Sequence, residues 1–175
     1  NSDDPTPKVI LFLGSNIGNF TDEETTLFLS QLSAYSNPGD KVLIGFDLKK
    51  SPETILKAYN DPHGHSRRFI FNHLHRLNRD LGAGFEPENF VHHCTYNPEN
   101  GALKSYLVSK TDHKVQIEAL EQIFHFEKWE PVFMELSRKY DLKTIEDLAK
   151  SHGFIFEKHF SDHRRYFVDS LWEKE

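Results

Sequence analysis

Two short apolar runs, Lys8-Val-Ile-Leu-Phe-Leu13 and Lys41-Val-Leu-Ile-Gly-Phe-Asp47, constrain this chain more than any other feature. Each is continuous rather than alternating, which predicts a strand covered on both faces, as in a parallel sheet. Between them, Thr21-Asp-Glu-Glu24 has the form of a capping box, with acidic residues suited to a first turn. Leu27, Phe28, Leu32 and Tyr35 follow as an apolar helical face, and Pro38-Gly39-Asp40 ends it, so a helix is predicted over 21–36. Strand, helix and strand with short connections close as a right-handed parallel crossover. The first run opens into Gly14-Ser-Asn-Ile-Gly-Asn-Phe20, whose two glycines permit tight backbone and close approach of a ligand.

Further helices are expected from Ser51-Pro52-Glu53, with Ile55, Leu56 and Tyr59 as its apolar positions, and over 66–81, with Phe69, Ile70, His73, Leu74 and Leu77 buried. The second of these is expected to pack, with the helix over 21–36, on the parallel sheet. Gly82-Ala-Gly84 stops it. The character then changes. Strands are expected over 91–96, 102–109 and 114–117, the first two joined by the turn Asn97-Pro-Glu-Asn-Gly101. A short amphipathic helix over 142–153 and a hairpin of 154–160 with 165–172 complete the chain.

The 175 residues suit one compact domain with a sizeable core. A net charge of −6 argues against a nucleic-acid partner. The longest apolar run is too short to span a bilayer, and no signal-like segment opens the chain. One cysteine, Cys94, excludes an internal disulfide and a thiolate zinc cluster. Together these predict a soluble, cytoplasmic protein.

The histidines invite a metal reading, which the spacing disfavours. His73 and His75 do not share a helix face. His92 and His93, adjacent in a strand, point to opposite sides. No metal site is expected, and Cys94 reads as a small buried strand residue. No nucleophile elbow, phosphate-binding Gly-Lys loop or zinc-protease signature is present, so no catalytic nucleophile is assigned.

Several motifs fall in the order of one family. Leu11-Phe-Leu-Gly-Ser-Asn-Ile-Gly-Asn-Phe20 resembles the post-strand motif of the histidine-specific, S-adenosylmethionine-dependent methyltransferases, known from ergothioneine biosynthesis. Val42-Leu-Ile-Gly-Phe-Asp-Leu48, Ala58-Tyr-Asn-Asp61, Phe71-Asn72, Arg76-Leu-Asn-Arg79 and Glu135-Leu-Ser-Arg-Lys-Tyr140 resemble the segments that follow. The resemblance implies an α/β fold: the C-terminal half of a Rossmann-like class I methyltransferase sheet with an inserted α+β substrate lobe. It implies residues 1–84 as the second half of the core, 85–137 as the substrate-recognition lobe, and 138–175 as a helix and hairpin returning to the core.

By the same resemblance, Asn19 and Tyr59 hold the amino-acid end of a small substrate, and Glu135 and Ser137 hold its imidazole. Gly14 and Ser15 pass near the methionine part of S-adenosylmethionine, the implied cofactor. On residue chemistry alone, without the family pattern, the favoured readings are helix packing for Tyr59 and an exposed strand residue paired with Lys139 for Glu135. The implied activity is transfer of methyl groups to the α-amino nitrogen of histidine or a related amino acid. The Gly-rich cofactor loop and ribose-binding acid of the family's first strands have no counterpart in these residues, and Asp47 ends a later strand. The sequence therefore looks like the C-terminal part of an enzyme. The alternatives are a non-catalytic interaction module on a decayed methyltransferase scaffold, or a methyltransferase for another small amine. The latter is suggested by Lys104-Ser-Tyr106, which departs from the family's usual Glu-Met pattern. Without a neighbour, Val9-Ile-Leu-Phe-Leu13 would be an exposed edge, open to self-association or to pairing with a missing N-terminal half.

Overall fold

A computed structural model describes residues 6–175. In chain order the elements are β1 (Val9–Phe12), α1 (Asp22–Ala34), β2 (Lys41–Asp47), α2 (Pro52–Tyr59), α3 (His65–Leu81), β3 (Phe90–Asn97) and β4 (Ala102–Ser109). There follow β5 (His113–Ile117), β6 (Gln122–Phe126), β7 (Pro131–Arg138), α4 (Leu142–Ser151), β8 (Phe154–Ser161) and β9 (Phe167–Lys174). They form two compact units. The first comprises 1–50, 97–102 and 136–175, and the second 51–96 and 103–135. Residues 51–84, grouped by the sequence reading with the strand–helix–strand core, thus fall in the second unit.

The first unit is built on a sheet of order β1-β2-β9-β8. β1 runs parallel to β2, as the crossover requires, while β9 is antiparallel to β2 and β8. Val42, Ile44 and Phe46 of β2 point into one core with Trp172 of β9 and Phe154 of β8. Leu29 of α1 and Ile145 and Ala149 of α4 join them. The capping box forms: Thr21 Oγ1 accepts from the Glu24 amide, and Glu24 accepts from the Thr21 amide.

Two expectations are corrected here. β1 is not covered on both faces. Ile10 and Phe12 pack on the core, but Val9 and Leu11 are 65% and 60% exposed. β1 is also an edge of the sheet among the described residues, so one face and one ladder side lack a neighbour. In α1 the buried stripe is Thr25, Phe28, Leu29 and Leu32, spaced 3, 4 and 7 apart. Leu27 and Tyr35 lie off that stripe and are exposed.

The start of β1 is held by one carboxylate. Asp40 accepts from the Lys8 amide at 2.8 Å and from the Asn37 amide at 2.8 Å. The Lys8 and Asn37 amides together hold its carboxyl below the usual range, against a smaller opposing effect of desolvation. A carboxyl whose pKa falls on folding stabilises the fold above its unfolded pKa, and that contribution is lost as pH drops through the folded value. Denaturant unfolding followed between about pH 5 and pH 2 is expected to show a fall in stability that flattens in Asp40→Asn. Equal slopes for the two proteins would remove Asp40 from that account.

The second unit pairs α2 and α3 with most of a sheet of order β3-β4-β7 and with the β5–β6 hairpin. Ile70, Phe71 and Leu74 of α3 pack with Phe90 of β3 and Leu107 of β4. α3 therefore builds a second core instead of packing on the parallel sheet, and Phe69, expected in its buried face, is 62% exposed. The β6 strand has no expectation to match. Its residues are almost all exposed, and its turn, Glu118–Leu120 followed by Glu121 at φ 51°, lacks the glycine that marks a hairpin.

Candidate functional site

In the first unit the loop after β1 turns through two left-handed residues, Gly14 at φ 81° and Ser15 at φ 59°. Ser15 tolerates this because its hydroxyl accepts from the Asp47 amide at 2.9 Å, tying the loop to the end of β2. A short 3-10 turn, Asn16–Asn19, follows with Ile17 and Gly18 buried and Asn19 exposed. Any Cβ on Gly18 would stand 2.9 Å from the Arg138 carbonyl, so only glycine lets this turn lie against the backbone beside Ser137. Tyr140 reinforces the contact by donating its hydroxyl to the Ile17 carbonyl at 3.3 Å.

Ser137 is engaged by a buried cation. Lys139, 2% exposed, donates to Ser137 Oγ at 2.8 Å and lies 2.7 Å from Asp47 Oδ2. Lys50 pairs with the other Asp47 oxygen. Two lysines thus neutralise Asp47. The Glu135–Lys139 pair that residue chemistry allowed is replaced by Lys139 with Asp47 and Ser137.

A ligand can reach the main chain of the Gly14 loop. The nearest atom to a Cβ built on Gly14 is Asn16 Nδ2 at 3.6 Å, and Gly14 is exposed. Such an open, turn-bound stretch fits the elongated methionine part of the implied cofactor.

The second unit holds a cavity of about 350 Å³ lined by Tyr59, Ser66, Phe69, Ile70, His92 and Glu135, with His65 and Ser105 completing it. Tyr59 is the last residue of α2, and Asp61 caps the start of α3 by accepting from the His65 and Ser66 amides. Those bonds hold the Asp61 carboxyl well below its usual range. Among the described residues nothing bonds to the Glu135 carboxylate, which is half-buried at the cavity wall.

On that wall His92 Nε2 lies 2.7 Å from Ser105 Oγ and 3.2 Å from Cys94 Sγ. Burial pulls the His92 pKa down, with His93 and Arg67 adding repulsion. Burial pushes the Cys94 thiol up, the Glu135 charge adds to that, and the Ser105 hydrogen bond opposes it. Cys94 is buried, as expected of a small strand residue.

Of the residues singled out from sequence, Gly14, Ser15 and Asn19 share one loop, and Ser137, near the end of β7, falls in the same unit as that loop. Tyr59 and Glu135 line one cavity. Ser66, Phe69, His92 and Ser105 were not among the candidates. The period-two burial of Phe90, His92 and Cys94, matched by Leu103, Ser105 and Leu107, is the signal that places His92 and Ser105 on inward faces.

Comparison with known proteins gives the decisive observation. Residues 1–174 match the family described as histidine-specific, SAM-dependent methyltransferase. This chain belongs to that family. Its relatives in the histidine-specific methyltransferase family include the histidine N-alpha-methyltransferase of Mycobacterium tuberculosis (strain CDC 1551 / Oshkosh), 33% identical over 138 residues, covering 79% of this chain and 43% of that protein. The L-tryptophan methyltransferase of Psilocybe serbica is 31% identical over 153 residues, covering 85% of this chain and 42% of that protein. Among solved structures, the CcbJ methyltransferase from Streptomyces caelestis superposes with a TM-score of 0.49 at 12% identity, over 96% of this chain and 61% of that chain. The chain thus spans less than half the length of the curated relatives it matches. Among the described residues of this family member, no helix is long and apolar enough to cross a membrane.

Proposed function

We propose that the protein containing this chain transfers methyl groups from S-adenosylmethionine to the α-amino nitrogen of histidine or a related amino acid. Family membership supports the reaction type, and the observation that carries the substrate class is the Glu135 carboxylate, unbonded among the described residues on a cavity wall that also holds Tyr59. A half-buried acceptor without a partner favours a ligand that brings a donor.

When bound, the cofactor supplies a methyl group already activated on a sulfonium, so the protein's work is alignment and exclusion of water. Gly14 and Ser15 would hold its methionine part through main-chain groups. Asn19 and Tyr59 orient the substrate's amino-acid end, as groups that can both donate and accept. Glu135 and Ser137 receive the side-chain ring. The amine loses its proton to solvent before its lone pair forms the new C–N bond. No side chain is required as a covalent nucleophile. The relative that is an L-tryptophan methyltransferase favours, as a second reading, another aromatic amino acid in the same role. Incubation of the full-length protein with the cofactor and either amino acid, read by mass spectrometry, tests both. Absence of any methylated amino acid would leave the non-catalytic module.

We also propose that the open β1 edge pairs with a further strand, either from polypeptide outside these residues or from a second copy. Its backbone groups and the exposed Val9 and Leu11 support this. For these 175 residues alone, sedimentation is expected to show concentration-dependent association that Leu11→Lys weakens. A strictly monomeric mass at high concentration would refute pairing between copies.

A further inference from the structure

We propose that Lys139 is a positioning residue for the substrate: its ammonium, anchored on Asp47, turns the Ser137 hydroxyl so that its hydrogen is offered to the side-chain ring. This rests on the reading above, in which Ser137 receives that ring.

The contacts are short and buried. Lys139 Nζ donates to Ser137 Oγ at 2.8 Å and lies 2.7 Å from Asp47 Oδ2. Lys139 is 2% exposed and Ser137 9%. A hydroxyl alone is ambivalent, because its hydrogen rotates to suit its partners. An ammonium is not: it has three donors and no lone pair. Ser137 can therefore meet Lys139 only as an acceptor, and its one hydrogen is directed at another group. The bare nitrogen of a neutral imidazole is an acceptor that such a hydroxyl suits.

The anchor beneath Lys139 is itself fixed. Asp47 ends β2, where its amide donates to Ser15 Oγ at 2.9 Å and its carbonyl accepts from the Tyr140 amide at 2.9 Å. The Lys139 amide donates to the Gly101 carbonyl at 2.8 Å. An ammonium held at both its backbone and its tip has little freedom left to lose when a ligand binds, which is what orienting a substrate requires. Pairing Asp47 does not by itself require Lys139, since Lys50 pairs with the other carboxylate oxygen. Lys139 is the cation of the two that bonds to Ser137, and Lys139→Met removes it without stranding a buried carboxylate.

The test is a double-mutant cycle on the full-length protein, with L-histidine and S-adenosylmethionine titrated separately by calorimetry. Ser137→Ala is expected to weaken histidine binding about tenfold, the worth of one hydrogen bond. Lys139→Met should weaken it roughly fivefold alone and add nothing in the Ser137→Ala background, because it acts through that hydroxyl. Affinity for S-adenosylmethionine should hold, whereas a loosened fold would weaken both ligands. If Lys139→Met does not fold, Asp47→Asn, which withdraws the charge anchoring the ammonium, carries the same cycle with a loss of about twofold. Equal losses for both ligands, or a loss that persists in the Ser137→Ala background, overturns the positioning role. Unchanged histidine affinity in Lys139→Met beside a weakened Ser137→Ala overturns the role of Lys139 alone. Unchanged affinity in Ser137→Ala overturns the underlying reading of Ser137, and this one with it.

Discussion

Glu135→Ala in the full-length enzyme is expected to reduce kcat/KM for histidine by about ten- to a hundredfold. A ring N–H bonded to a carboxylate in a half-buried cavity is worth about 1.5–3 kcal/mol, because the acceptor is charged and water is partly excluded. Among the described residues nothing bonds to this carboxylate, so no partner there compensates for a missing substrate N–H, which favours the upper part of that range. Glu135→Gln keeps shape and an acceptor oxygen but loses the charge, and should fall between wild type and alanine. Ser137→Ala should cost turnover less and stability more. Its hydroxyl accepts from Lys139, a buried ammonium that needs its acceptors. Steady-state kinetics beside thermal melts separate the two effects. Unchanged turnover and affinity for histidine in Glu135→Ala would remove the recognition role.

The strand–helix–strand start was legible because local signals agree there. The capping box, the breaker at Pro38-Gly39 and the two apolar runs all point to one crossover, and the parallel register of β1 on β2 follows. What the runs could not convey is coverage. An apolar strand reads the same whether its second face is packed or bare, and Val9 and Leu11 are bare among the described residues. The helix at α3 was equally plain in its periodicity, but periodicity states that a face is buried, not against what. Ile70 and Leu74 found Phe90 and Leu107 instead of the parallel sheet. Tyr59 and Glu135 entered as candidates through resemblance, since 76 residues of sequence separation hide any shared cavity from pattern reading. His92 and Ser105 stayed hidden for a related reason. Their 2.7 Å bond depends on the pairing of neighbouring strands, and a lone histidine in an alternating strand carries no mark of what lies across from it.

The largest expected loss of stability comes from one turn. Gly101 closes Asn97-Pro-Glu-Asn-Gly101 at φ 71°, where an L side chain is strained. A Cβ there would stand 2.1 Å from the Lys139 carbonyl oxygen, far inside contact distance, and the clashing group is backbone that cannot rotate away. The Lys139 amide donates to the Gly101 carbonyl at 2.8 Å, so the two main chains are locked together at this point. Gly101→Ala must either break that bond or push Lys139 outward. Left-handed strain of about 1 kcal/mol and a lost backbone bond of about 1 kcal/mol add to the steric displacement, giving about 2–4 kcal/mol in all. The displacement also reaches Ser137 and Asp47, both held by the Lys139 ammonium. Thermal melting should therefore show a lower transition, and turnover measured well below that transition should still be reduced. A control at Gly39, which also has positive φ but no atom within 4 Å of a built Cβ, isolates strain from collision. Gly39→Ala should cost about 1 kcal/mol and leave turnover intact. Equal melting temperatures for the two variants would show that the Lys139 backbone yields at no cost, and that Ser137 does not depend on it.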